Sequence, residues 1–336
     1  MAKKKKKIRS AYKSVKVVIS LLLIIASIIG GWLIYDNGGI GGGGSSSGGS
    51  SSGGSGSKKE EAKEDLDLNG IEAEGDPIKV YFLDVGQADC TVIMSNQGNM
   101  IIDAGSNSSQ KSMKAYIDKL GISEFEYAIF THPHEDHIGG SEVILDNYKV
   151  ENVIIPDYEA TTKTYLTMLE SIENCGANLE IIEEGENFEF SIGELKAQIL
   201  APIKFDKNTN NSSIVTRLDY GETSIMLTGD AEGEKADDPE NLILEKYKDN
   251  LQILDCDIHK LGHHGSSTST NQKFLDAVSP QIAIISCGVD NDYGHPHQEI
   301  IERLEKGNIT YYRTDELGTI LLVIYKNGYK ISDTTK

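Results

Sequence analysis

Basic residues are scarce in most of this sequence. Residues 78–336 contain 21 Lys and Arg against 43 Asp and Glu, and no Lys or Arg cluster occurs there. Binding to a DNA backbone is largely electrostatic and usually needs a basic surface. The composition therefore argues against DNA binding by surface charge. It favours a small or neutral substrate, or binding that depends on metal ions.

Cysteine is also infrequent, with four residues in 336: Cys90, Cys175, Cys256 and Cys287. Their spacing is not that of a zinc knuckle, so we do not expect this kind of structural metal site. Three of them lie in or beside apolar stretches, where buried free thiols are common. Disulfides are permitted in an exported domain, and four cysteines allow three pairings, among which the sequence does not choose.

The N-terminal region has the composition of a membrane anchor. Residues 1–16 are rich in Lys, and residues 17–35 form a stretch of nineteen uncharged, mostly apolar residues. A helix needs about twenty such residues to cross a bilayer, and its basic flank stays in the cytoplasm. We expect a single transmembrane helix at 17–35 in the cell membrane, a cytoplasmic tail at 1–16, and export of everything that follows. A cleaved signal peptide is the alternative.

Residues 36–77 predict a flexible linker between this anchor and a folded domain. The stretch 38–57 is nearly all Gly and Ser, and 58–76 is charged with almost no large apolar residues. Neither composition can bury enough surface to offset its chain entropy.

The remaining 259 residues, 78–336, are enough for one large core. Apolar runs in this region predict strands, and helices are predicted at 112–120, 161–175, 239–251, 271–278 and 298–306. Strands followed by helices, repeated twice, predict an α/β fold in which two sheets pack face to face with helices outside.

The main group of chemically active residues is Thr131 to Gly140, which reads Thr-His-Pro-His-Glu-Asp-His-Ile-Gly-Gly and follows an apolar run. Alternate side chains of an extended chain point the same way, so His132 and His134 can bind one ion. Asp136 and His137 follow the start of a turn and should face a second point nearby. Two ions about 3.5–4 Å apart can clamp the attacking and leaving oxygens of a hydrolytic displacement, and these ligands suit Zn, Mn or Fe(II). The alternative is a His-rich surface turn that binds no metal.

This motif resembles the signature of the metallo-β-lactamase fold hydrolases. Four further motifs are similar to the ComEC-like branch of that family, which includes the hydrolase domain of a bacterial DNA-uptake protein; they lie at 81–89, 227–230, 261–266 and 293–296. The resemblance covers about 78 to the C-terminus. It implies an αββα sandwich and two divalent metal ions, Zn²⁺ or Mn²⁺.

The resemblance also implies roles for individual residues. Asp230 would bridge the two metals with one oxygen on each. Of the adjacent pair His263 and His264, one should ligate and the other face the substrate; we expect His264 to be the ligand, although the order can be reversed. The expected metal ligands are His132, His134, Asp136, His137, Asp230 and His264. The expected catalytic groups are His263, His295, Asp136 and Asp230. Asp84 and Asp103 are expected to orient ligating imidazoles, with Gln87 and Asp89 beside the site.

The sequence departs from many members of the family in one respect. They have a further metal-binding His between the two halves of the site, whereas no His occurs from Ile138 to Asp257. The corresponding stretch, 208–213, resembles the Asn/Ser pattern of the ComEC-like branch. We expect the ion at His132 and His134 to have few protein ligands and to bind weakly, use water, or rely on Asn and Ser oxygens. This makes Mn plausible beside Zn.

The expected function is metal-dependent phosphodiester hydrolysis outside the membrane, with DNA as the substrate that the resemblance implies. Against DNA stand the acidic composition and the single predicted span, which cannot by itself form an uptake channel. A second hypothesis is hydrolysis of cell-envelope phosphodiesters, because similar domains occur in phosphorylcholine esterases. β-Lactam hydrolysis is disfavoured by the missing His. A non-catalytic surface binding protein is disfavoured by the complete ligand set.

Overall fold

In the computed structural model, which describes residues 73–333, the chain contains fifteen strands in two sheets. The strands are β1 (Ile78–Phe82), β2 (Thr91–Ser95), β3 (Gly98–Ile102), β4 (Glu124–Ile129), β5 (Lys149–Pro156), β6 (Asn178–Ile182), β7 (Phe188–Ile192), β8 (Leu195–Ala201), β9 (Val215–Tyr220), β10 (Thr223–Leu227), β11 (Ile258–Lys260), β12 (Ile282–Ile285), β13 (Thr310–Arg313), β14 (Ile320–Tyr325) and β15 (Gly328–Asp333).

The α-helices of the described region are short to medium in length. They are α1 (Gln110–Lys119), α2 (Glu135–Ile138), α3 (Ser141–Asn147), α4 (Lys163–Cys175), α5 (Pro239–Lys246), α6 (Gln272–Val278), α7 (Gln298–Lys306) and α8 (Thr314–Leu317). Local sequence sets their ends. For example, α4 follows Thr162, whose hydroxyl accepts a hydrogen bond from the Tyr165 N–H at 3.2 Å, and stops before Gly176, which takes a φ of 79°.

Each sheet has an antiparallel half and a parallel half. The eight-stranded sheet runs β15-β14-β1-β2-β3-β4-β5-β6, and the seven-stranded sheet runs β13-β12-β11-β10-β9-β8-β7. Pairing is parallel from β3 to β6 and from β10 to β13. Because the carboxyl ends of parallel strands meet at one edge of a sheet, side chains just after β3, β4, β10, β11 and β12 can converge.

The main core lies between the sheets. It combines Val80, Phe82 and Ile129 of the first sheet with Ile199 and Ile225 of the second, all buried. Smaller cores lie under helices, where Ile243 of α5 and Phe274 of α6 pack with residues of the second sheet such as Met226, and where Ile300 and Leu304 of α7 pack with Ala283. On the first sheet, α3 and α4 contact β5. These layers confirm the predicted αββα sandwich.

Several details differ from the sequence-based expectations. The helix predicted at 239–251 ends at Lys246, and the sequence pattern does not predict β6, β7 or β15. All four cysteines are free thiols, so the structure contains no disulfide among the described residues. Within residues 73–333 there is no helix long and apolar enough to cross a membrane. The predicted span at 17–35 and most of the predicted linker lie outside the described residues.

Candidate metal centre

The histidine motif begins just beyond the carboxyl end of β4. Residues 132–133 form a bend, His134 is extended, and α2 then starts at Glu135. His132 and His134 nevertheless face the same point, with His132 Nε2 3.1 Å from His134 Nδ1. The turn into α2 carries His137 to a neighbouring point, where its Nε2 lies 3.1 Å from Asp230 Oδ1. The motif therefore presents imidazole nitrogens at two positions.

Asp230, three residues beyond Leu227 at the end of β10, lies between these positions. Its Oδ2 is 3.7 Å from His132 Nε2, and its Oδ1 is 3.1 Å from His137 Nε2 and 3.9 Å from His264 Nε2. The carboxylate thus offers one oxygen to each side. Asp136 Oδ2 completes the second side, 3.1 Å from His264 Nε2. The resulting candidate ligand groups are His132, His134 and Asp230, and Asp136, His137, Asp230 and His264.

The spacing of these atoms fits bound cations. Ligand atoms about 2.0–2.2 Å from one ion lie roughly 3–4 Å from each other. Contacts between neighbouring ligand atoms here range from 3.1 to 3.9 Å, and all atoms of each group lie within 4.8 Å of one another. The buried atoms His137 Nε2 and Asp230 Oδ1 have no hydrogen-bond partner. Orphaned buried polar atoms are rare, and a cation between them would satisfy both.

The electrostatics of the centre also favour a cation. Burial opposes charge on His137, but Asp230, Asp103 and Asp136 outweigh burial and hold its pKa well above the usual range. For His264, Asp230 and Asp89 likewise overcome burial and raise the pKa to about 10. The same negative field that retains a proton on these rings attracts a metal ion, which would take the place of the proton.

Asp103, just beyond β3, supports His137 from behind. The imidazole donates from Nδ1 to Asp103 Oδ2 at 2.7 Å, and Thr131 donates to the same carboxylate from its N–H and its hydroxyl, each at 2.8 Å. Because Nδ1 carries the proton, the lone pair of Nε2 faces the candidate ion. Asp103 adopts a φ of 58°, in the left-handed region that residues other than glycine rarely occupy.

A buried ion pair supports His264. The ring donates from Nδ1 to the Ser286 carbonyl at 2.9 Å, and Asp89 Oδ1 lies 3.3 Å from the same nitrogen. The other Asp89 oxygen is paired with the ammonium of Lys260. Burial works against ionisation of Asp89, but Lys260 and His264 outweigh it and lower its pKa to about 2. His264 itself has a φ of 55°.

Ser213, in the stretch 208–213, contacts two of the candidate ligands. Its hydroxyl oxygen accepts from the Asp230 N–H at 3.0 Å and lies 3.3 Å from His132 Nδ1. Asn210 donates from its side-chain amide to Glu232 at 2.9 Å, while its buried Oδ1 has no hydrogen-bond partner. Ser213 and Asn210 are not members of the two candidate ligand groups, which consist of His and Asp residues.

His263 lies beside the ligands with its side chain 24% exposed, and its Nε2 is 3.9 Å from Asp230 Oδ2. Its Nδ1 is 3.1 Å from Thr268 Oγ1 and 3.5 Å from Glu232 Oε1. The left-handed turn at His263 and His264, with φ values of 50° and 55°, separates the two ring centroids by 6.3 Å. His264 joins a candidate ligand group and His263 does not, while the expected division of roles between them stays a prediction.

Asp136 and His263 are partly exposed on one side of the centre, which we call the cleft, and His295 lies beside His263 there without joining a ligand group. Its ring centroid is 5.6 Å from that of His263 and 6.3 Å from that of His264. Gln87 Nε2 donates to His295 Nδ1 at 3.2 Å, while Gln87 Oε1 accepts from the Gly288 N–H at 3.0 Å. Burial and the neighbouring His264 and His263 lower the pKa of His295 to about 4.

The structure places Asp84 away from the ligating imidazoles, which corrects the expectation for this residue. Asp84 is exposed, and its Oδ1 accepts from the Gly86 N–H at 3.2 Å. The strand before it, β1, is two positions from β3 in the sheet. With neighbouring strands about 4.8 Å apart, this displaces Asp84 by roughly 10 Å from the position of Asp103.

Three residues that support this centre were not predicted from the sequence: Thr131, Glu232 and Lys260. Lys260 alone has a signal, because it is a charged residue at the end of a short buried strand. Their partners, such as Asp103 for Thr131 and Asp89 for Lys260, lie far away in the sequence. His259 is fully buried, and its ring packs on that of Phe274.

Comparison with known proteins agrees with this architecture. The family described as the metallo-beta-lactamase superfamily matches residues 83–289. The chain is 30% identical over 269 residues to ComE operon protein 3 of Bacillus subtilis, covering 74% of this chain and 33% of that protein. It is 31% identical to Recombination protein 2 of Haemophilus influenzae over 259 residues (75% and 30%), and 28% identical to Competence protein ComA of Neisseria gonorrhoeae over 250 residues (74% and 32%).

The chain therefore spans about one third of the length of these relatives. The family match at residues 83–289 contains both candidate ligand groups. The chain belongs to the metallo-β-lactamase superfamily, in its ComEC-like branch.

Proposed function

We propose that this protein is an exported, membrane-tethered phosphodiesterase that uses two divalent metal ions, Zn²⁺ or Mn²⁺, and acts on nucleic acid. The observation that carries the proposal is the position of Asp230, which directs Oδ2 towards His132 and Oδ1 towards His137 and His264. A carboxylate that serves two ligand groups at once is suited to hold a pair of ions side by side.

Two divalent ions at these groups would supply Lewis-acid activation of water and would stabilise negative charge on a phosphodiester. The protein holds these groups in a fixed arrangement, because Asp103 and Ser286 restrain the rings of His137 and His264. Asp136 is the most accessible of the carboxylates in the groups, with 30% of its side chain exposed. It is therefore placed to orient an attacking water molecule.

His263 and His295 have different roles in this proposal. His263 faces the cleft with Nε2 near Asp230, so it can pass a proton to the leaving oxygen. His295 accepts from Gln87 at Nδ1, so its single proton is on Nε2, and its low pKa keeps it neutral at pH 7. A neutral donor of this kind is suited to hold a phosphate oxygen.

Two considerations support nucleic acid as the substrate. The relatives include one named as a recombination protein and one named as a competence protein. The centre also combines metal ligands with two cleft histidines, and these are the groups that phosphodiester hydrolysis needs. Export and tethering rest on the predicted span at 17–35, the basic tail at 1–16 and the linker at 36–77.

The test uses the full-length chain in detergent with Mn²⁺ or Zn²⁺. Linear single- and double-stranded DNA and bis(p-nitrophenyl) phosphate are supplied as substrates. Asp136→Ala is the test variant, and Asp146→Ala is the matched control, because it removes an exposed carboxylate outside the site. We expect DNA cleavage that is lost in Asp136→Ala and kept in Asp146→Ala. If only the small diester is hydrolysed, the inferred substrate becomes a cell-envelope phosphodiester instead of DNA. If no substrate is hydrolysed, the proposal is refuted.

A further inference from the structure

Exposed apolar surface is concentrated beside the metal centre. Among residues 73–333, three large hydrophobic side chains are exposed: Leu251 at 44%, and Val289 and Tyr293 at 68% each. Val289 and Tyr293 lie on one loop, residues 288–296, which we call the Tyr293 loop. The same loop carries His295 into the cleft. Its apolar side chains therefore border the candidate active site.

The Tyr293 loop is held in place by its own polar groups. Asn291 donates from Nδ2 to the carbonyls of Gly288 and His295, at 2.9 Å and 2.6 Å, and its Oδ1 accepts from the His295 N–H at 3.0 Å. His297 Nε2 lies 3.2 Å from the Tyr293 carbonyl. The exposed tyrosine thus projects from a braced backbone, so little further ordering would be needed when a ligand binds.

A series of nearly parallel rings connects Tyr293 to the ligand histidines. Tyr293 stacks on His295 with centroids 5.6 Å apart and 24° between the planes. His295 in turn stacks on His264 at 6.3 Å and 23°. The exposed ring is therefore only two ring-to-ring steps from the metal centre, close enough to contact a group that flanks a reacting phosphate.

The charges around this ring do not suit a phosphate. Asp290 and Asp292 are exposed on the same loop, and residues 274–298 contain no Lys or Arg. Lys260 is buried and paired with Asp89. A flat, uncharged group fits an exposed aromatic ring with acidic neighbours better than the sugar-phosphate backbone does.

We propose that Tyr293 is a stacking subsite for a nucleobase next to the cleaved phosphate of a single strand. This inference rests on the proposed phosphodiesterase function. Base stacking on an aromatic side chain contributes affinity without surface charge and tolerates any base. It explains how a domain with an excess of acidic groups can hold nucleic acid, with phosphate at the metals and a base on Tyr293.

The test compares a short single-stranded oligonucleotide with an abasic strand of the same length, both incubated with the full-length, Mn²⁺-loaded protein. The wild-type protein should have a higher kcat/KM for the strand with bases than for the abasic strand. Tyr293→Ala should reduce this preference roughly 5- to 100-fold.

Tyr293→Trp should keep the preference, and so should the control Leu251→Ala, which removes an exposed apolar side chain from a different loop. Asp290→Asn and Asp292→Asn should lower KM for the oligonucleotide, because they remove charges that repel phosphates.

The outcomes separate this inference from the function on which it rests. If the wild type cleaves both strands equally, or if Tyr293→Ala keeps the preference, the stacking subsite is refuted while the phosphodiesterase stands. If neither strand is cleaved, the proposed function itself fails. Loss of p-nitrophenylphosphorylcholine turnover in Tyr293→Ala, Asp290→Asn and Asp292→Asn alike would overturn the inference in favour of a site for a quaternary ammonium group.

Discussion

The side-chain amide of Gln87 sets the tautomer of His295. The Gly288 N–H can only donate, so it fixes Oε1 as the acceptor end of the Gln87 amide. The opposite end, Nε2, then donates to His295 Nδ1 and leaves the imidazole proton on Nε2. A backbone group distant in sequence thereby determines which nitrogen of a cleft histidine can donate to a substrate.

Gln87→Glu tests this relationship with little change in shape. A carboxylate can still accept from Gly288, but it also accepts from His295 Nδ1 and moves the proton away from Nε2. We expect kcat/KM to fall roughly 10- to 100-fold, the cost of losing one hydrogen bond to a charged phosphate. The new carboxylate also raises the pKa of His295, so the activity relative to the wild type should recover as the pH is lowered. A constant ratio across pH would contradict the tautomer argument.

The buried pair of Lys260 and Asp89 gives a second prediction. Lys260→Met leaves a buried carboxylate without its strongest partner, and we expect a loss of about 3–5 kcal/mol in the free energy of unfolding. The double variant Lys260→Met with Asp89→Asn removes both charges, so its cost should be well below the sum of the single variants. Urea unfolding of the metal-free protein measures all three. Strict additivity would show that the two residues do not act as a pair.

The division between His263 and His264 can be read from metal content. His264→Ala removes a group from the ligand set with Asp136 and His137, so the purified protein should retain about one ion instead of two. His263→Ala should retain both ions and lose turnover, because His263 faces the cleft. Metal analysis after dialysis distinguishes the two variants. Retention of both ions in His264→Ala together with loss of one in His263→Ala would reverse the assignment.

His259 predicts a pH dependence of stability. Burial, with Lys260 beside it, lowers the pKa of this histidine from 6.5 to about 3. Between these values the unfolded chain binds a proton that the folded protein excludes. The neutral ring therefore makes its full contribution to stability above pH 6.5. Below pH 6.5 the free energy of unfolding falls by about 1.4 kcal/mol per pH unit.

The comparison variant for this prediction is His259→Gln, which has no titrating side chain. Urea unfolding at pH 7, 6, 5 and 4 should show a smaller decline for His259→Gln than for the wild type. Parallel declines would mean that His259 does not contribute to the acid sensitivity of the fold.

Much of the candidate site could be predicted because it is encoded locally. The spacing of the histidine motif predicted that its residues gather near one another, and they do join the candidate ligand groups, although residues 132–133 form a bend instead of the extended segment on which the prediction relied. The strands β6, β7 and β15 were harder to predict. β7 alternates between partly buried and exposed residues, and β6 is a five-residue strand whose apolar residues are interrupted by Glu180.

By itself the sequence determined the two-sheet sandwich and the residues that gather at its edge, because strand and helix periodicity and the His-x-His-x-Asp-His spacing are properties of neighbouring residues. Only the tertiary structure decided which supporting residue contacts which residue of the site. It brought Asp89 to Lys260 across 171 positions and Gln87 to His295 across 208, and it placed Asp103 rather than Asp84 behind a ligand histidine. Contacts of this kind depend on strand order and sheet packing, which follow from burial of the whole core and leave no local pattern in the chain.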